Sequence, residues 1–138
     1  MAPLKLTALD AEDLGIISAH MQDAVVKLGD IRHLERGKQF ALIANRFAWM
    51  AESPERRRTG LRFARVLGVK SSRIRQGGSE AILSLLAIAF EPGDPPSGAI
   101  VLTFSGGGAI RLEVECIEAE LRDLGPAWAA ARQPVHDG

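Results

Sequence analysis

Between Ile100 and Cys116 every second side chain is apolar: Ile100, Leu102 and Phe104 precede the turn Ser105-Gly106-Gly107-Gly108, and Ile110, Leu112, Val114 and Cys116 follow it. A period of two marks a strand with one buried face, and a short glycine-rich link between two such runs pairs them as an antiparallel hairpin. Upstream, residues 80–90 put Ile82, Leu83, Leu85, Leu86, Ile88 and Phe90 on both parities, a pattern open to a buried helix or a central strand. The link Glu91-Pro92-Gly93-Asp94-Pro95-Pro96-Ser97-Gly98 looks like a hairpin loop, so strand is the expectation. Two consecutive hairpins commit the chain to antiparallel pairing.

The rest of the chain is read around that sheet. Asp10 is a good helix N-cap with Glu12 and Asp13 in the first turn, and Leu14, Ile17, Met21 and Ala24 paint one face, predicting a helix over 11–24. Residues 25–34 are rich in β-branched side chains with Gly29-Asp30 interrupting, the pattern of a bulged strand. A polar turn at 35–38 returns the chain into a strand over 40–50, and Pro54 with the charge run after it is expected to end that hairpin. Leu61, Phe63, Leu67 and Val69 share one parity and predict a half-buried strand. Arg65 falls on the same parity, so it lies either at a sheet edge or inward, where its guanidinium needs an acid, with Glu113 or Glu115 the expected partner. Ile117, Leu121 and Leu124 shift to helical spacing and predict a short C-terminal helix ending at Gly125-Pro126, with 126–138 a loosely ordered tail. The sum is one α+β domain over 1–138: a hairpin-rich antiparallel sheet or partly open barrel, pleckstrin-homology-like by element count, with a helix at each end.

Charge balance removes the extreme functions. The chain's 17 basic and 17 acidic residues cancel, which excludes a nucleic-acid coat, a basic peptide and an acidic disordered tail. Cys116 is the single cysteine, so no intrachain disulfide and no Cys/His zinc framework can form, and a reducing compartment fits. The first residues lack a basic n-region and apolar core, and the longest apolar run falls far short of the roughly 20 residues that span a bilayer. A cytoplasmic protein without a membrane partner or cofactor is expected.

The stretches Ser18-Ala-His-Met-Gln-Asp-Ala-Val-Val, Phe40-Ala-Leu-Ile-Ala-Asn-Arg-Phe-Ala-Trp49, Gly60-Leu-Arg-Phe-Ala-Arg-Val and the segment from Phe104 to Gly125 together resemble a family of small alphaproteobacterial proteins catalogued only as a domain of unknown function. The resemblance covers nearly the whole chain. It implies no activity, cofactor or catalytic residue.

Within the balanced total, charge is segregated. Residues 54–76 hold eight basic groups against Glu55 alone, whereas 109–125 hold five acids against Arg111 and Arg122. Guanidiniums present a planar fork to oxyanions, which makes Arg56, Arg57, Arg58, Arg62, Arg73 and Arg75 the candidate surface for an anion or a protein partner. Internal pairing of the two segments ranks first, such a contact second, and nucleic acid third, because only Phe63 interleaves the arginines and its parity is inward. The charge layout also permits a homodimer. Arg46 and Trp49, at the end of a strand rich in aromatics, form a second candidate interface, with core packing the default for the tryptophan.

Catalytic signals are thin. His20 and Asp23 stand three apart on the predicted helix, where such a pair could orient a general base or hold a metal, but no complementary motif accompanies them; a surface or capping interaction is the expectation, ahead of a chance meeting of His20 with His33 or Asp30. Cys116 continues an apolar parity and reads as a buried small hydrophobe, and the glycine run 105–108 lacks the Gly-Lys-Ser/Thr ending of a phosphate loop. The leading expectation is a small binding or regulatory module without catalysis of its own; a small enzyme with a His20-Asp23 pocket and an RNA-associated protein are the alternatives.

Overall fold

Strand alternation dominates the computed structural model, which describes residues 3–47, 55–74 and 78–125 and the backbone of Trp128–Ala129. The elements are β1 (Lys5–Ala8), α1 (Ala11–Met21), β2 (Val25–Leu34), β3 (Gln39–Phe47), β4 (Glu55–Phe63), β5 (Val66–Ser72), β6 (Ile82–Pro92), β7 (Gly98–Phe104), β8 (Ala109–Val114), β9 (Ala119–Asp123) and β10 (Trp128–Ala129). Nine strands follow one another in the order β1-β9-β4-β3-β2-β6-β7-β8-β5, every pairing among the described residues antiparallel, with β10 added beside β4. The sheet is open, ending at β1 and β5. No described helix is long and apolar enough to cross a membrane.

The expected N-terminal helix is present and shorter. Asp10 caps it by accepting the Asp13 amide at 2.8 Å, and Leu14, Ile17 and Met21 are buried on its inner face. It stops before Asp23, which takes a left-handed φ of 65° and sends the chain into β2. Ser18 reaches from the helix to β6, where its hydroxyl accepts the Ile88 amide at 2.8 Å. That bond lies just past a register shift between Leu85 and Ala87. The shift explains the ambiguous run: Leu85 and Ile88 are both buried although their parities differ, because the inner parity changes within the strand.

Three expectations fail for stated reasons. The charge run does not end the hairpin; Glu55–Phe63 is a full strand, its register running from Phe47↔Arg56 to Phe40↔Phe63. The half-buried strand expected over 61–70 is two strands, because Arg65 has a left-handed φ of 61° and turns the chain, burying Val66 and leaving Leu67 57% exposed. In place of the C-terminal helix stands β9, with Ala119, Leu121 and Asp123 inward and Glu120 and Arg122 outward. A charged residue at an inward position hid its period of two. The 126–138 tail lies outside the described residues except for Trp128–Ala129, which pair with Arg56 and Glu55.

The core sits between the inner face of the sheet and α1. Phe40 and Phe63 face each other across β3 and β4 with ring centroids 6.3 Å apart, beside Leu42, Leu61, Leu102, Phe104, Leu112 and Leu121. Burial of such side chains at roughly 1.5–3 kcal/mol each drives the fold.

Candidate functional site

Parity on β4 splits the arginine run between two faces. Arg57, Thr59, Leu61 and Phe63 are buried, whereas Arg58 and Arg62 are exposed. On the inner side Arg57 lies directly across from Arg46 of β3, and both are at most 3% exposed. Asp123, opposite Thr59 at the end of β9, pairs with Arg46 and lies within ion-pair distance of Arg57. Its carboxylate accepts Arg46 Nε at 2.9 Å, Arg46 Nη2 at 2.7 Å, the Thr59 hydroxyl at 2.8 Å and the Leu4 amide at 2.8 Å, with Arg57 Nε 3.8 Å away. Burial alone would push this carboxyl up; the hydrogen bonds from Arg46, Leu4 and Thr59 overcome it and hold it below the usual carboxylate range. Arg46 is therefore a core residue rather than an exposed interface. Asp123 was legible only as one acid among five.

The acidic segment is paired within the chain. Glu113 binds Arg111, Glu115 binds Lys38 at 2.9 Å and stands 3.9 Å from Arg65, Glu118 stands 3.8 Å from Arg65, and Glu120 lies between Arg62 at 3.8 Å and Arg122 at 3.5 Å. Arg65 is thus a half-exposed residue at the β4–β5 corner, paired with the expected Glu115 and with Glu118.

Outside, the sheet carries a groove across β2, β3, β4 and β9. Its cause is the β2 bulge. Val26 pairs with Ala44 and Ile31 with Leu42, so four β2 residues stand against Ile43 alone. Within that excess, Lys27 pairs with Ile82 of β6, the Leu28 amide donates to Ala81 O at 2.8 Å and the Gly29 amide to Ser79 O at 2.9 Å, which draws β2 away from β3. A Cβ on Gly29 would stand 2.7 Å from Ser79 Cβ, so glycine is needed for that close approach. The opening is two adjoining cavities, about 470 and 580 Å3, that share Asp30 and Ile43. Ala41, Ile43 and Gly60 floor the larger one, Leu124 flanks it, and Arg32, Arg62 and Arg122 stand around it; Arg58 and Lys27 edge the smaller.

Of the expected surface residues, the structure brings Arg58 and Arg62 to this groove and places Arg56, Arg57 and Arg73 elsewhere. Arg56 lies over the Phe47 ring at 5.6 Å, where partial burial lowers its pKa and Asp23 opposes the shift. Arg73 sits beside Gly107 at the β7–β8 turn, remote in the strand order from β4. Arg75 and Trp49 lie outside the described residues. The groove residues sequence reasoning missed are Ile43, Gly60, Arg122 and Arg32; the Gly29-Asp30 interruption in β2 was the one available signal.

His20 and Asp23 do not share a helical face, since α1 ends at Met21. Burial and the nearby Arg46 lower the His20 pKa, while Asp123 raises it. Asp23 acts instead on Arg56. His33 stands 4.0 Å from Glu35, and no group of three or more His, Cys, Asp or Glu among the described residues could hold a metal ion. Cys116 is only half-buried, in the bend after β8, and the glycine run is the β7–β8 turn, closed by the Phe104 amide donating to Gly108 O at 2.8 Å.

The family model described as "Protein of unknown function (DUF2948)" matches residues 4–136. The chain belongs to that family. The DUF2948 match spans every strand of the sheet, so the buried network and the outer groove both lie inside the family's domain. No curated protein and no solved structure matches the chain.

Proposed function

We propose that this DUF2948 protein is a small cytoplasmic binding module that associates with an anionic ligand or protein through the outer groove, without catalysis of its own. The observation that carries the reading is Arg58. Once the acids of 109–125 are committed to other cations, this exposed guanidinium has no carboxylate partner among the described residues and stands beside an apolar floor. A cation next to uncovered apolar surface is the combination that binds an anion with an apolar body.

The experiment is a titration with citrate, a soluble polycarboxylate, followed through backbone amide shifts. Saturable shifts centred on Ile43, Gly60 and Arg58, lost in Arg58→Ala and weakened by salt, support the site. Shifts that scatter over the surface or never saturate refute it. Nothing in the arrangement of His20 and Asp23 favours the enzymatic reading, and the described groove lining has no aromatic platform for RNA bases.

A further inference from the structure

We infer that the groove's occupant is an acidic segment of a protein partner, bound in extended form across β3 and β4, an inference that rests on the groove being the binding site. Three features select this class. The first is length: Arg58 and Arg62 lie on one face of β4, four residues and so about 13 Å apart, with Gly60 between them. A single small anion cannot bridge that interval, whereas side chains two to four residues apart on an extended peptide can.

The second is exposure. Sites for small molecules usually enclose most of the ligand. Here Arg58, Arg62 and Arg122 are exposed, Leu124 is 50% exposed, and the floor is the outer face of a sheet. Such a surface gains little from a compact ligand but more from a polymer that covers Ile43, Gly60 and Leu124 in succession.

The third is the charge pattern. The two cavities are lined by Lys27, Arg32, Arg58, Arg62 and Arg122 against Asp30, Glu80 and Glu120. Glu80 engages Lys27, and Glu120 is divided between Arg62 and Arg122, so the cationic excess lies along β4 and β9 with acids interspersed. A phosphodiester backbone would bring its regularly spaced charges against Asp30 and Glu120, and its bases would meet no described aromatic side chain. A peptide can set acids at Arg58 and Arg62 and an apolar residue between them, against the Leu124 side chain that lies beside Gly60.

The test uses the whole chain and a fluorescein-labelled peptide, Glu-Leu-Glu-Asp-Leu-Glu-Asp, beside its Gln/Asn counterpart, with anisotropy as readout. The acidic peptide should bind at least about tenfold more tightly than both the neutral one and citrate. That affinity should fall about tenfold in Arg58→Glu. Gly60→Ala keeps every charge, and its Cβ would meet Leu124 at an ordinary 3.5 Å; it should fold and weaken the peptide by narrowing the floor. If citrate binds at the groove and the peptide binds no better, the inference is overturned while the binding site stands. If neither binds there, the site itself is wrong. Equal binding of the acidic and neutral peptides, or a single-stranded oligonucleotide that outcompetes the acidic peptide, also overturns the inference.

Discussion

Arg57 and Arg58 are neighbours in sequence and opposites in circumstance. Arg57 is 3% exposed beside Arg46 and Asp123, whereas Arg58 faces solvent at the groove with no carboxylate partner among the described residues. The difference is the pleat alone: one residue along a strand moves a side chain to the other face. A charge run on a strand is therefore two sets of residues. The inner one costs desolvation and is retained only with a partner that satisfies it; the outer one is available for association.

The largest effect expected from this contrast follows removal of the inner partner. Asp123→Ala leaves Arg46 and Arg57 buried without their carboxylate and should lower stability by about 3–5 kcal/mol, read by urea unfolding. A loss under ~1 kcal/mol would mean that water reaches the network.

Acid should act in the same direction. The Asp123 carboxyl is depressed on folding, so its contribution is fully present above the unfolded value and is lost as pH falls through the lower folded value, below about pH 4. Asp123→Asn should flatten stability in that window, and an unchanged profile would exclude Asp123 as its source. His20 acts in the same direction at higher pH. Its folded pKa is also lowered, so the unfolded chain takes up the proton first and stability declines as pH falls from about 6.5 toward the folded value. His20→Gln should reduce that slope between pH 7 and 5.

At the outer face stability should barely respond. Arg58→Ala and Arg62→Ala should each stay within about 0.5 kcal/mol of wild type, because among the described residues Arg58 has no ion pair and Arg62 only an exposed one at 3.8 Å. Binding should separate them, with Arg58 the more sensitive since Arg62 shares Glu120. Equal losses would show that Glu120 does not offset Arg62.

How far this architecture could be read from sequence depends on whether the inner face was apolar. The β6–β7–β8 meander was legible because Ile100, Leu102, Phe104, Ile110, Leu112 and Val114 are all inward and buried. The β4–β9 pair was not, because its inward positions include Arg57, Thr59 and Asp123, and a polar residue inside a strand looks the same in sequence as one outside. The β4–β5 break was hidden for another reason: the left-handed Arg65 leaves no compositional mark and shifts the parity of everything after it. At the site, the basic segment was visible and its division was not. The groove depends on a bulge whose place in sequence was apparent from Gly29-Asp30, but whose three extra residues only the pairing of Val26 and Ile31 reveals.

The most direct test of the division is equilibrium urea unfolding of Arg46→Met beside Arg58→Met, two equal truncations on opposite faces of adjacent strands. The account predicts a loss of about 3 kcal/mol or more for Arg46→Met and a change within about 0.5 kcal/mol for Arg58→Met. Similar effects from the two would contradict it.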